Sequence, residues 1–97
     1  MDEPLTHEHF SAHVGKRFGF EGSHLMLLLR SAEPRPSFVA VGSKRVPFAL
    51  IFEGPAGDIL PTGYYRATVE DGPAFELHIM PIHTYAPDRQ DYQVVFN

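Results

Sequence analysis

The stretch PFALIFEGPAGDILPTGYY, residues 47–65, decides how this chain folds. Phe48, Leu50 and Phe52 alternate with Ala49, Ile51 and Glu53, the period-two pattern of a strand that turns one apolar face toward a core. Gly54-Pro55-Ala56-Gly57-Asp58 then interrupts the alternation with turn chemistry, since glycine reaches positive φ and proline fixes φ while removing a donor. Leu60-Pro61-Thr62-Gly63 turns the chain again, and residues 64–69 run back as a second strand. No segment elsewhere has the length and period of a crossover helix, so the sheet is expected to be antiparallel.

Downstream of this unit, Asp71-Gly72 is a two-residue hairpin signal followed by Pro73. Phe75, Leu77 and Ile79 alternate with Glu76, His78 and Met80 in the next strand. Residues 81–91 read as a long connection, and Tyr92, Val94 and Phe96 alternate in the last strand. Upstream, residues 17–20 read as a first strand with Phe18 and Phe20 on one face. The next, residues 24–31 (HLMLLLRS), is apolar on both faces. Leu25, Leu27 and Leu29 serve the core, which leaves Met26 and Leu28 outside. Either the N-terminal helix or the following loop covers those two, or they form a subunit contact. Residues 32–46, with Pro34 and Pro36, read as an irregular connection in which Phe38 and Val39 form at most a short edge strand.

Residues 5–14 read as a short helix capped by Thr6, with Glu8 near its positive end, Phe10 and Val14 on one face and Gly15 closing it. A helix this short must dock on the rest of the domain to persist. The expected fold is therefore all-β, a small antiparallel barrel or sandwich of about six strands over residues 17–97 with one short N-terminal helix. With 97 residues, the chain is expected to be one domain.

Composition narrows the function. Net charge is −4, and the 8 Lys and Arg residues are scattered singly or in pairs. A nucleic-acid partner is not expected, because counterion release needs a concentrated basic face. The absence of cysteine excludes disulfides, thiolate metal sites and a cysteine nucleophile together. Met1-Asp2-Glu3-Pro4 shows no basic n-region, and the longest apolar run, residues 25–29, falls far short of the roughly 20 residues of a membrane span. The expected location is the cytoplasm as synthesised, with any export passing through a dedicated apparatus or as part of an extracellular assembly.

Candidate chemistry is thin. His9 and His13, four apart on a helix, would suit one metal ion, but no third ligand is tied to them, so no metal is expected. His78 and His83 have no readable partner for general-base work. The glycines at 54 and 57 precede neither a helix nor a phosphate-binding lysine, and the serines lack a nucleophile elbow. Neither enzymatic activity nor a cofactor is expected. Two readings follow. In the first, the chain is a structural or interaction domain that assembles through exposed strand edges and the apolar residues Met26, Leu28, Phe38, Val39 and Val95. In the second, it is a monomeric small-ligand module whose barrel mouth is lined by Tyr64, His78, His83 and Tyr85.

A resemblance rests on Phe10 with His13-Val14-Gly15, on Pro47-Phe48-x-Leu50-x-Phe52-x-Gly54-Pro55, on Leu60-Pro61-x-Gly63-x-Tyr65 and on the closing Tyr92-x-Val94-Val95-Phe96-Asn97. These segments, spread over nearly the whole chain, resemble a family of small bacterial domains of unknown function. Members are often encoded near proteins with a phage tail-collar-like domain. The resemblance implies association with tail- or fibre-like assemblies, with a homo-oligomer or a tail-collar-like protein as the partner. Its motifs are glycines, prolines and core aromatics, so it carries over no catalytic residue. The chain departs from the family pattern in its histidine-rich start and in residues 81–91.

Overall fold

A computed structural model of the chain describes residues 7–34, 48–70, 72–84 and 86–96. A short helix α1 (His7–Ser11) precedes six strands, β1 (Arg17–Phe20), β2 (Met26–Pro34), β3 (Phe48–Pro55), β4 (Gly63–Val69), β5 (Ala74–Ile82) and β6 (Arg89–Phe96). All neighbouring strands pair antiparallel, and the order β1-β2-β3-β6-β5-β4 closes on itself through β1 and β4. The fold is a closed β-barrel with one short helix. Of the two architectures the alternation allows, the barrel is the one formed.

Closure depends on β1, which pairs with β2 and β4 at once, and on β5, which changes partners along its length. Ala74–Ile79 of β5 pairs with β4, whereas Met80, Pro81 and Ile82 pair with Gln93, Tyr92 and Asp91 of β6. Where β5 leaves one neighbour for the other, one end of the barrel opens between strands. α1 fills that end. Phe10 is fully buried, with ring centroids 4.6 Å from Phe75, 5.5 Å from Phe96 and 5.9 Å from Phe48, and Phe48 and Phe96 stack at 4.5 Å. Gly15, at φ +90°, lets the chain turn out of the helical segment, and its N–H donates to the Leu29 carbonyl at 2.8 Å.

The middle of the barrel is filled by Phe18, Phe20, Phe52, Leu27, Leu29 and Leu77. At the other end Leu60 tucks in from the β3–β4 loop, its N–H donating to the hydroxyl of buried Tyr92 at 2.9 Å. That hydrogen bond satisfies a backbone donor which loop chemistry alone would leave in an apolar setting.

Several boundaries differ from the sequence expectation. The regular helix ends at Ser11, and residues 12–15 continue as turns. β2 runs on through Pro34, β3 through Gly54 and Pro55, and the expected long connection 81–91 shrinks to 83–88, because Pro81, Ile82 and Arg89–Asp91 are paired. The β4–β5 hairpin forms, but its connection spans residues 70–73 rather than two. Asp71 of that signal, together with Phe38, Val39 and Tyr85, lies outside the described residues.

Candidate functional site

The outward side chains are placed by register. Phe18, Leu27, Phe52 and Tyr92 point into the barrel, so their sequence neighbours point out. Arg17 pairs with Leu28, Leu28 with Glu53 and Glu53 with Asp91, a single row across β1, β2, β3 and β6. Gly19 pairs with both Thr68 and Met26, forming the row beside it. The result is an outer face that is apolar at Met26 and Leu28 and charged around them.

One element of this face is a bulge. Leu29 pairs with Phe52 and Ser31 with Ile51, which leaves Arg30 without a partner of its own in β3. A bulge changes the parity of the strand and re-aims a side chain. Here Ala32 instead of Ser31 packs on the core, and Arg30 reaches two strands away to Asp91.

That reach answers an electrostatic problem. Glu53 and Asp91 are direct cross-strand partners, and like charges in that position repel. Arg30 donates through Nη1 to Glu53 Oε2 at 3.4 Å and through Nη2 to Asp91 Oδ2 at 3.3 Å, while Arg89 Nε donates to Asp91 Oδ1 at 2.9 Å and lies 3.8 Å from Glu53 Oε2. The Asp91 carboxylate is only 8% exposed, whereas the two guanidinium-bearing side chains are about 40% exposed and reach solvent. The hydrogen bond to Asp91, reinforced by the charges of Asp91, Glu53 and Asp88, holds the Arg89 guanidinium protonated more firmly than usual, against a partial loss of hydration.

Two shallow depressions share Met26 as a wall. The smaller, about 250 Å³, is lined by Arg17, Met26, Leu28, Glu53, Gly54 and Arg89. The larger, about 420 Å³, lies on the other side of Met26 and includes Gly19, Arg66 and Thr68. Both open on the outside of the barrel, and Met26 itself is 45% exposed.

A family model described as a domain of unknown function, DUF6916, matches residues 5–96. This chain belongs to the DUF6916 family. Neither the curated proteins nor the solved structures gave a match. Within the matched residues, Phe10, Phe48, Leu50, Phe52, Leu60, Tyr92 and Val94 all lie in the core.

The other candidates in this DUF6916 domain are scattered. α1 packs its Phe10 into the barrel end and leaves Met26 exposed, so the helix is not what covers Met26, and residues 35–46 of the following loop lie outside the described residues. Val95 is exposed on the same outer side, yet Leu28 and Val95 meet β3 at Glu53 and Ala49, about 13 Å apart at the usual rise per residue. Met26, Leu28 and Val95 therefore do not form one patch. Tyr64 and His78 are direct partners with ring centroids 4.6 Å apart, but they stand on the outer surface of β4 and β5 and line no barrel mouth. His83 is exposed in the connection 83–88.

The histidine pair at the start does not share a helical face, because the helix stops before His13. His13 turns in toward Phe18 and Phe75, with its Nδ1 buried and lacking a hydrogen-bond partner among the described residues, while His9 is exposed. No group of three or more His, Asp or Glu among the described residues is placed to hold a metal ion. No helix among them is long and apolar enough to cross a membrane. Sequence reasoning missed Arg17, Arg30, Arg89 and Asp91. The alternation of Tyr92 and Val94, carried back to Arg89, would have put Arg89 and Asp91 on the outward face.

Proposed function

We propose that this DUF6916 domain is a non-enzymatic interaction domain that joins copies of itself, or docks on a tail-collar-like protein, within a bacterial tail- or fibre-like assembly. The observation that carries the reading is Met26, a half-exposed apolar side chain continuous with Leu28 between two depressions on the outside of a filled barrel. Apolar surface rimmed by charge is the ordinary composition of a protein contact.

The closed barrel also changes how such a contact is made. Strand addition needs a free row of backbone N–H and C=O groups, and among the described residues the closed barrel leaves one-sided rows mainly at its ends, as along Ala74–Ile79 of β5 and Val94–Phe96 of β6, where Phe10 of α1 packs. Docking is therefore face-on, by side chains of β1 and β2. The charged groups Arg30, Glu53 and Asp91 beside Met26 are committed to one another and form a rim to the apolar surface.

The test is the mass of the protein in solution by light scattering over a concentration series, alone and mixed with a tail-collar-like protein, with negative-stain images of the same samples. A stable oligomer, or a complex of defined ratio, is the expected result. A chain that stays monomeric at every concentration and ignores the tail-collar-like protein overturns the reading.

A further inference from the structure

The smaller depression contains donors that have no acceptor among the described residues. Arg89 meets Asp91 and Glu53 through Nε alone, and its two terminal amino groups have no acceptor among the described residues. Arg17 has its backbone N–H donating to Glu70 Oε1 at 3.0 Å, while its guanidinium also has no acceptor among them. Both side chains line the same hollow, whose apolar wall is Met26 and Leu28.

Arg89 is also held in place from behind. The carboxylate that takes its Nε is nearly buried and receives Arg30 as well, and the Asp91 N–H donates to Thr84 Oγ1 at 2.7 Å, so the acceptor is fixed on both its backbone and its side chain. A guanidinium anchored at Nε presents its remaining fork outward, in the geometry that matches a carboxylate with two parallel hydrogen bonds. Anchoring lowers the entropy cost of using it.

The charge balance selects the ligand. Among the residues that line the hollow, Arg17 and Arg89 outnumber Glu53 by one charge, although Glu70 and Asp88 lie beside the two arginines and the whole chain carries −4. A carboxylate neutralises that surplus, whereas a phosphate dianion would meet Glu53 on the wall of the hollow with charge to spare. The hollow is too shallow and open to bury a small molecule on its own, and it continues past Met26 into the larger depression, which suits an extended segment of a protein surface.

We propose that this hollow receives an aspartate or glutamate side chain of a partner protein, with Arg17 and Arg89 taking the carboxylate and Met26 and Leu28 packing against an apolar residue next to it. The inference rests on the docking function proposed above and names the chemistry of the partner at that surface.

The test is an NMR titration of the ¹⁵N-labelled full chain with the peptide acetyl-Ala-Leu-Asp-Leu-Ala-amide, with its Asn counterpart and with inorganic phosphate. The aspartate peptide is expected to shift the Gly54 and Leu28 amide signals and the Arg89 Nε–H signal, and to bind at least about tenfold more tightly than the Asn peptide. Arg89→Gln and Arg17→Gln, each with an otherwise unchanged spectrum, are each expected to weaken the aspartate peptide by about the same factor. Equal shifts from the Asp and Asn peptides, shifts confined to other residues, or no shifts at all overturn the carboxylate site. Phosphate binding as tightly as the peptide overturns it too, by reducing the hollow to a general anion contact. Failure here with an oligomer or complex still seen by light scattering sinks the carboxylate site alone, whereas a monomer in that experiment sinks the docking reading itself.

Discussion

A methyl group at position 54 has nowhere to go. A Cβ built on Gly54 overlaps Leu27 Cδ2 and stands 3.6 Å from Tyr92 Cε1, and both neighbours are fully buried, so neither can swing aside. Gly54→Ala is expected to destabilise the domain by about 1–3 kcal/mol, the usual cost of forcing atoms into a packed core. Gly57→Ala, with nothing within 4 Å, is expected to stay within about 0.5 kcal/mol of the parent. Urea midpoints of the two variants check the pair. Tyr92, which packs beside Gly54, links stability to pH. Burial pushes its hydroxyl above the ordinary tyrosine value of about 10, the Leu60 N–H pulls it back, and the charge of Asp58 adds to the rise. Because the folded value is the higher one, this contribution is fully present below pH ~10 and is lost as pH rises through the folded value. Tyr92→Phe is expected to flatten that alkaline loss, seen in urea midpoints from pH ~8 to ~11, while costing about 1–3 kcal/mol at neutral pH for the unpaired Leu60 N–H.

Among the elements, α1 is five residues long and cannot persist alone, so its stability is the stability of Phe10 in the barrel end. Phe10→Ala is expected to cost about 3–5 kcal/mol. Hydrogen exchange should show the loss first at β5 and β6, whose Phe75 and Phe96 meet the ring, and uniform exchange across all strands would contradict the plug. A short N-terminal helix and the core alternation of β1, β2, β3, β5 and β6 were legible in the sequence, because period-two patterns of bulky apolar residues leave little choice of face. The strand ends were not, and proline is the reason. Pro34, Pro55 and Pro81 each read as breaks, yet each sits in a strand where the ladder has a partner on one side: Pro34 pairs with Phe48 beyond the reach of β1, Pro55 with Arg89 beyond β2, and Pro81 with Tyr92 after β5 has left β4. A residue without an N–H fits where the ladder is one-sided. That one-sidedness follows from barrel closure, which no local window reveals.

At the scale of the whole molecule, closure decides both what was illegible and how the domain can meet a partner. The row Arg17, Leu28, Glu53 and Asp91 joins residues from four strands far apart in the chain, and the bulge that frees Arg30 leaves no mark in the sequence, so the charged hollow emerges only from the assembled register. The apolar face beside it was legible, since five consecutive apolar residues read as strand place at least two of them outside whichever face is buried. Because Met26 and Leu28 offer side chains from a strand whose backbone is already paired, assembly and folding should separate cleanly at that face. Met26 is half-exposed, and a lysine at position 28 could extend its stem along the surface toward Glu53, its partner across the ladder. Met26→Asp combined with Leu28→Lys is therefore expected to leave a folded monomer, within about 1 kcal/mol of the parent in urea, at concentrations where the parent assembles. Light scattering and urea unfolding on the same preparation read the two properties side by side. A variant that assembles as the parent does would exclude this face from the contact, and one that unfolds would mean that Met26 and Leu28 hold the barrel itself together.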